Sequence, residues 1–188
     1  MINRCSFFIL MVIFFGCQEI VVPKPKVFLD LNYPEAIYQK IELDFPFKFD
    51  KNKLSTLESI NNTKGVVTLN LNYQLLNARV NLSYHALDQN LVFYISEAEF
   101  TTMNLAKVAY DVSERGFENN TAKVFGKFYE LSGPVASQSQ FYATDSSRHF
   151  LAAVLYFKVK PNYDSILPAV GYIKKDMTRI LESLEWKN

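Results

Sequence analysis

An α+β fold, with an antiparallel sheet flanked by helices as an αβα sandwich, is what this sequence predicts, and three observations carry the prediction. Runs in which apolar and polar residues alternate recur along the chain, and two stretches show apolar residues at spacings of three and four instead. Strand-like and helix-like stretches are grouped rather than strictly alternating, which separates α+β from α/β architectures. Finally, Ser132-Gly133-Pro134 and Asp145-Ser146-Ser147 supply turn chemistry between successive β-like runs, and turns that short join antiparallel neighbours.

The elements follow in order. Val27-Phe28-Leu29-Asp30-Leu31-Asn32-Tyr33 is apolar at every odd position and runs into Pro34, which predicts a strand and a domain beginning near Val27. Phe45, Phe47 and Phe49 oppose Pro46, Lys48 and Asp50, an edge strand that tolerates a proline. Val67-Leu69-Leu71-Tyr73 and Val80-Leu82-Tyr84 face polar residues on their other sides, so both read as strands with one wet face. From Asn90 the period changes: Leu91, Ile95, Ala98, Thr102, Leu105, Ala106, Ala109 and Val112 predict one long amphipathic helix, stopped by Gly116. Residues 121–131, 135–144 and 150–159 predict three more strands. Residues 150–157 are apolar on both faces, as an interior strand covered on both sides must be. Asp164 or Ser165 caps a last helix with Pro168 in its first turn, and Ile166, Leu167, Val170, Ile173, Met177, Ile180, Leu181 and Leu184 form its apolar face.

The N-terminus carries an address. One positive charge at Arg4 precedes the apolar run from Phe7 to Phe15, which is far short of the roughly 20 residues a spanning helix needs. Gly16-Cys17 follows directly. Residues 1–16 therefore read as a lipoprotein signal peptide and Cys17 as the lipid attachment site, several acyl chains at about 0.8 kcal/mol per CH₂ giving stable anchoring. The competing reading is an ordinary secretory signal cleaved elsewhere, which leaves Cys17 incidental. Residues 17–26 form the lipidated cysteine and a Pro/Lys tether, whose alternating prolines favour an extended spacer, and 27–188 form a single globular domain. Ten residues at no more than about 3.6 Å each hold that domain within roughly 35 Å of the bilayer.

Composition excludes several functions. Removing residues 1–16 takes Arg4 and Cys5 with them and leaves 19 basic against 19 acidic side chains, so the domain lacks the basic excess of a nucleic-acid binder. With Cys17 acylated no thiol is left for disulfides, Cys-ligated zinc or nucleophilic catalysis. His85 and His149, with Asp88 and Asp145 nearby in sequence, could form a metal site or a general base, but nothing at i, i+2 or i, i+4 spacing supports shared ligation. Each also sits at a strand end, where a half-exposed polar residue belongs. No Gly-x-Ser-x-Gly surrounds Ser137, Ser139, Ser146 or Ser147, and Ser137 and Ser139 read as a polar strand face. The six glycines form no phosphate loop. Asp164-Ser165-Ile166 fits an O-glycosylation pattern and fits helix capping equally. Aromatic richness could line a ligand groove, although aromatics at strand spacing serve chiefly as core.

Taken in order, Pro23-Lys24-Pro25-Lys26, Tyr33-Pro34-Glu35, Phe45-Pro46-Phe47-Lys48-Phe49, Val124-Phe125-Gly126, Phe141-Tyr142-Ala143-Thr144-Asp145-Ser146, His149-Phe150-Leu151, Ala153-Val154-Leu155-Tyr156-Phe157 and Ile173-Lys174-Lys175-Asp176 to Trp186-Lys187 make the chain resemble the gliding motility lipoprotein GldD family of Bacteroidota. That resemblance implies a non-catalytic role in gliding motility and type IX protein secretion, with partners among the proteins of that machinery. It offers no catalytic residue to carry over, and the residue patterns and neutral charge above give no cofactor-binding or metal residue, no small-molecule substrate and no nucleic acid. The antiparallel sheet with flanking helices also looks like a Mog1p/PsbP-type sandwich, at the level of fold alone. Gln18 in place of aspartate favours the outer membrane, and the lone Glu19 after the cysteine favours its periplasmic side. Two other functions compete: a periplasmic ligand-binding lipoprotein with an aromatic cleft, and a hydrolase or metal enzyme. A deep pocket holding a histidine, or an exposed apolar patch of partner size, separates them.

Overall fold

In the computed structural model, residues 33–42, 44–63, 66–158 and 163–187 are described. The signal peptide, Cys17, the tether and residues 27–32 of the strand expected over 27–33 lie outside them, and Tyr33 itself is not in a strand. A seven-stranded sheet runs in the order β3-β4-β5-β9-β8-β7-β6, every neighbouring pair antiparallel. Its strands are β3 (Thr56–Thr63), β4 (Val66–Tyr73), β5 (Ala78–Ala86), β6 (Asp111–Asn119), β7 (Val124–Ser132), β8 (Ser139–Thr144) and β9 (His149–Phe157). A smaller sheet joins β1 (Tyr38–Ile41), β2 (Phe47–Asn52) and β10 (Glu185–Trp186).

The strand order explains why a helix is needed. The first meander ends at β5, and the second starts at the far edge with β6 and returns to lie beside β5. The chain must therefore cross β9, β8 and β7, four spacings or about 19 Å. Helix α1 (Leu91–Ala106) has 16 residues, which at 1.5 Å each is about 24 Å and spans that gap. Because α1 follows this route it covers only the β9-to-β6 half of its face.

The opposite face carries the main core. Leu69 and Leu71 of β4, Val80 and Leu82 of β5, Leu151 and Leu155 of β9 and Phe141 of β8 lie fully or nearly fully buried there. Helix α2 (Tyr163–Glu182) packs on them through Ile173, Met177, Ile180 and Leu181, and Phe47 and Phe49 of β2 complete the layer. One acid sits inside this apolar seam. Asp176 is 1% exposed and accepts hydrogen bonds from the Tyr38 hydroxyl at 2.8 Å and the Asn52 amide at 2.9 Å, which ties α2 to β1 and β2. Burial raises its pKa, and those donors oppose the rise without cancelling it.

The α+β class, the antiparallel turns and the interior position of β9 match the expectations, while α1 leaves part of one face of β9 open, and several other details differ. The long helix stops at Ala106. Val108 and Ala109 bond back to Leu105 and Ala106, Tyr110 then donates to the Ser132 carbonyl at 2.9 Å, and Val112 and Gly116 belong to β6. Apolar spacing carried past the real stop because β6 is an exposed edge strand, largely polar on both faces, with no alternation to announce it. The strand around Phe47 is not an edge: β2 is the middle strand of the small sheet, and Pro46 lies just before it, where its carbonyl accepts from Lys187. Ser137 and Ser139 are buried rather than a wet face, Ser137 donating to the Ser139 carbonyl at 3.1 Å. Pro168 lies inside α2, past its first turn, with Asp164 and Ser165 helical ahead of it. Strands β7 and β8 start at Val124 and Ser139, later than expected, and β1, β3 and β10 were not anticipated.

Candidate functional site

Helix α1 carries apolar residues on two opposite faces, separated along one side by the exposed Glu97, Thr101 and Asn104. Its inner side places Leu91, Tyr94, Ile95, Ala98 and Leu105 against Tyr129, Leu131, Tyr142 and Phe150 of the sheet. Its outer side holds Val92, Phe93, Phe100 and Met103 at 77%, 61%, 64% and 66% exposure. At 100° per residue these four fall within about a third of the helix circumference and form one stripe, with the small polar Ser96 among them. Met103 reaches a groove lined by Ala106, Val112 and Tyr129 together with the ion-paired Glu99, Glu114 and Lys127, and Val108 and Tyr110 beyond the helix are exposed as well. Two phenylalanines at 150–250 Å² each, with a valine and a methionine, open several hundred Å² of contiguous apolar surface, the size of an interaction patch.

The two histidines point to opposite faces of the sheet. His85 is paired with Phe150 and His149 with Ala86 across the β5–β9 ladder, and paired residues share a face while successive ones alternate. His149 lies in the main core, stacked on Trp186 with ring centres 5.1 Å apart and its Nδ1 2.8 Å from the Tyr84 hydroxyl. Asp145 does not engage that ring. Its Oδ1 accepts instead from the backbone N–H groups of Ser147, Arg148 and His149 at 2.7–2.9 Å. Burial pushes the Asp145 carboxyl up, yet those donors together hold it below the usual carboxylate range, as suits the pin of a tight turn. The geometry assembles no His–Asp dyad there.

His85 lies under α1, its ring 4.3 Å from that of Tyr94, which in turn stacks on Phe150. Burial lowers its pKa from the ordinary imidazole value, a fall that Glu97 opposes, and the ring is neutral at pH 7. It borders a half-open cavity of about 250 Å³ between α1 and the uncovered part of the sheet. Gln140 of β8, buried to 5% exposure, lines the same cavity. Sequence reasoning missed Gln140 and the outer stripe of α1. Gln140 looked like one more polar strand residue, whereas Phe93 and Phe100 were visible as apolar residues off the helix's inward face.

Residues 18–186 match the family described as gliding motility lipoprotein GldD. The chain belongs to that family. GldD proteins are gliding motility lipoproteins and not a known enzyme family, so this chain associates with the cell envelope and has a motility role. Comparison with curated proteins finds no match. Among the described residues no helix is long and apolar enough to cross a membrane, and no cluster of three His, Cys, Asp or Glu side chains could hold a metal ion. The GldD assignment places the stripe on α1 and the cavity beside it in a protein that works at a membrane.

Proposed function

We propose that the protein is cleaved after Gly16, anchored through acyl chains on Cys17 to the periplasmic face of the outer membrane, and acts without catalysis in assembly or stability of the gliding and type IX secretion machinery. Residues 17–26 are its tether and 27–188 its working domain. The observation that carries this reading is the exposed stripe Val92, Phe93, Phe100 and Met103, which serves as the docking face for a protein of that machinery with an apolar surface of its own. A protein fits this face better than the bilayer does. Tyr33, the first described residue, packs at a tilt against Tyr172 of α2 with ring centres 5.2 Å apart, on the side of the sheet opposite α1.

Two strains test the proposal together. Deletion of the gene abolishes colony spreading and secretion of type IX cargo, and Cys17→Ala releases the protein from membranes and removes acyl-chain labelling. A deletion strain that still spreads and secretes refutes the machinery role, and labelling that survives Cys17→Ala refutes the anchor.

A further inference from the structure

The cavity beside α1 is built unlike the rest of the core. Its floor is the face of β5, β9 and β8 that α1 leaves partly open, and its wall is the inner edge of the helix. Two buried polar atoms in its lining, Gln140 Nε2 and His85 Nδ1, have no hydrogen-bond partner among the described residues. The Gln140 carbonyl oxygen lies 3.4 Å from the Thr102 hydroxyl, whose single proton is shared with the Ala98 carbonyl at 3.1 Å, so a weak contact meets that end of the amide and its nitrogen end is unpaired. A buried donor or acceptor left without a partner costs about 1–3 kcal/mol, and native cores carry few of them. Two in one cavity are met by a guest with polar groups, which is either water or a ligand.

The lining narrows the ligand class. Ser83, Thr101 and Tyr156 bring hydroxyls that both donate and accept, and Gln140 brings the unpaired amide donor. Tyr94 and Tyr156 bring aromatic rings against which an apolar ring face can lie. Formal charge is almost absent. Among the described residues Glu97, exposed, is the single charged side chain in the lining, His85 is neutral there, and the nearby Arg79 guanidinium is engaged over the Tyr156 ring, 5.8 Å from its centre. At about 30 Å³ per water, 250 Å³ corresponds to about eight waters, below the roughly 300–1,000 Å³ of sites for drug-sized ligands. That is room for one ring.

We propose that this cleft binds a single neutral sugar ring, with Gln140 Nε2 and the surrounding hydroxyls meeting its hydroxyl groups and Tyr94 or Tyr156 meeting its C–H face. The inference stands on residues separate from the docking stripe and does not depend on it. The sugar is either free in the periplasm or the terminal residue of an envelope glycan.

Ligand-observed saturation-transfer NMR on the full-length protein in detergent micelles tests it, with D-glucose, N-acetyl-D-glucosamine and its disaccharide as probes, and D-glucuronate and D-glucosamine as charged controls. The expected result is saturable transfer from at least one neutral sugar in the millimolar range, weakened about tenfold or more by Gln140→Leu and abolished by Ser83→Leu, which fills the cleft. Gln140→Leu should fold at least as stably as the native chain, because it removes an unpaired buried donor. Tighter binding of the disaccharide assigns the site to a glycan end, and its exclusion assigns the site to the free sugar. Absence of saturable transfer from every neutral probe, stronger binding of either charged sugar, or full binding by both folded variants overturns the proposal.

Discussion

Replacing Phe100 with lysine tests the docking face while leaving the fold almost alone. Phe100 is 64% exposed, so of roughly 200 Å² for a phenylalanine about 130 Å² is open to a partner. At about 25 cal/mol per Å² its burial is worth about 3 kcal/mol, more than a hundredfold in affinity. A lysine forfeits that area and forces either burial of an ammonium or its escape to the rim, so hundredfold is the lower bound. The cost to the free protein is small. Lysine is a better helix former than phenylalanine, its stem covers much of the same helix surface, and Glu97 three residues earlier gives it an ion-pair neighbour. The assay pairs thermal unfolding of the purified variant with colony spreading and with crosslinking of the tagged protein to envelope partners. A melting temperature within a few degrees of the native value, with lost crosslinks and lost spreading, is the expected pattern. A correctly folded, membrane-bound Phe100→Lys protein that crosslinks and spreads normally would refute the docking face.

Two stability predictions follow from the core. Gly126 of β7 lies so close to the Tyr142 carbonyl of β8 that a methyl group at its Cα would collide with backbone that cannot move without breaking the ladder. Gly126→Ala should therefore cost at least about 2 kcal/mol, or roughly 4–8 °C in melting temperature, and a variant that melts with the native protein contradicts this close approach. Asp176 gives a pH signature. Its folded pKa is raised above the unfolded value near 3.9, so the stability it contributes is fully present below that value and is lost as pH rises through the folded pKa. Asp176→Asn cannot ionise, and urea unfolding of both proteins from pH 4 to pH 7 should show the variant gaining on the native chain as pH rises. A difference that does not change with pH would mean that the carboxyl is not buried as described.

Sequence periodicity located what periodicity can encode. Strands β4 and β5 were legible because one face of each is pressed into the main core, and α2 because its buried stripe faces a polar one. Asp176 interrupts that stripe beside Met177, a visible signal that pointed to a buried polar partner without saying which. Strand β6 was illegible for the converse reason: at the sheet's open edge it has no buried face to impose alternation, so its apolar Val112 was absorbed into the helix before it. Strand β10 consists of two residues that owe their conformation to pairing with β2.

The candidate sites were hidden by the same logic. A periodicity test rewards contrast between two faces, and α1 has little, since Val92, Phe93, Phe100 and Met103 lie opposite a face that is itself apolar. Low contrast in an apolar helix has two physical outcomes, full burial or an outer face that another molecule covers. The topology decides between them. A helix that carries the chain from β5 to β6 across one side of a sheet has no further layer of its own chain among the described residues to bury its outer side, and the same path leaves the β5 end of the sheet open as a cleft. The partner face and the sugar-sized cavity are thus two consequences of one crossover, and neither could be read before the strand order was known.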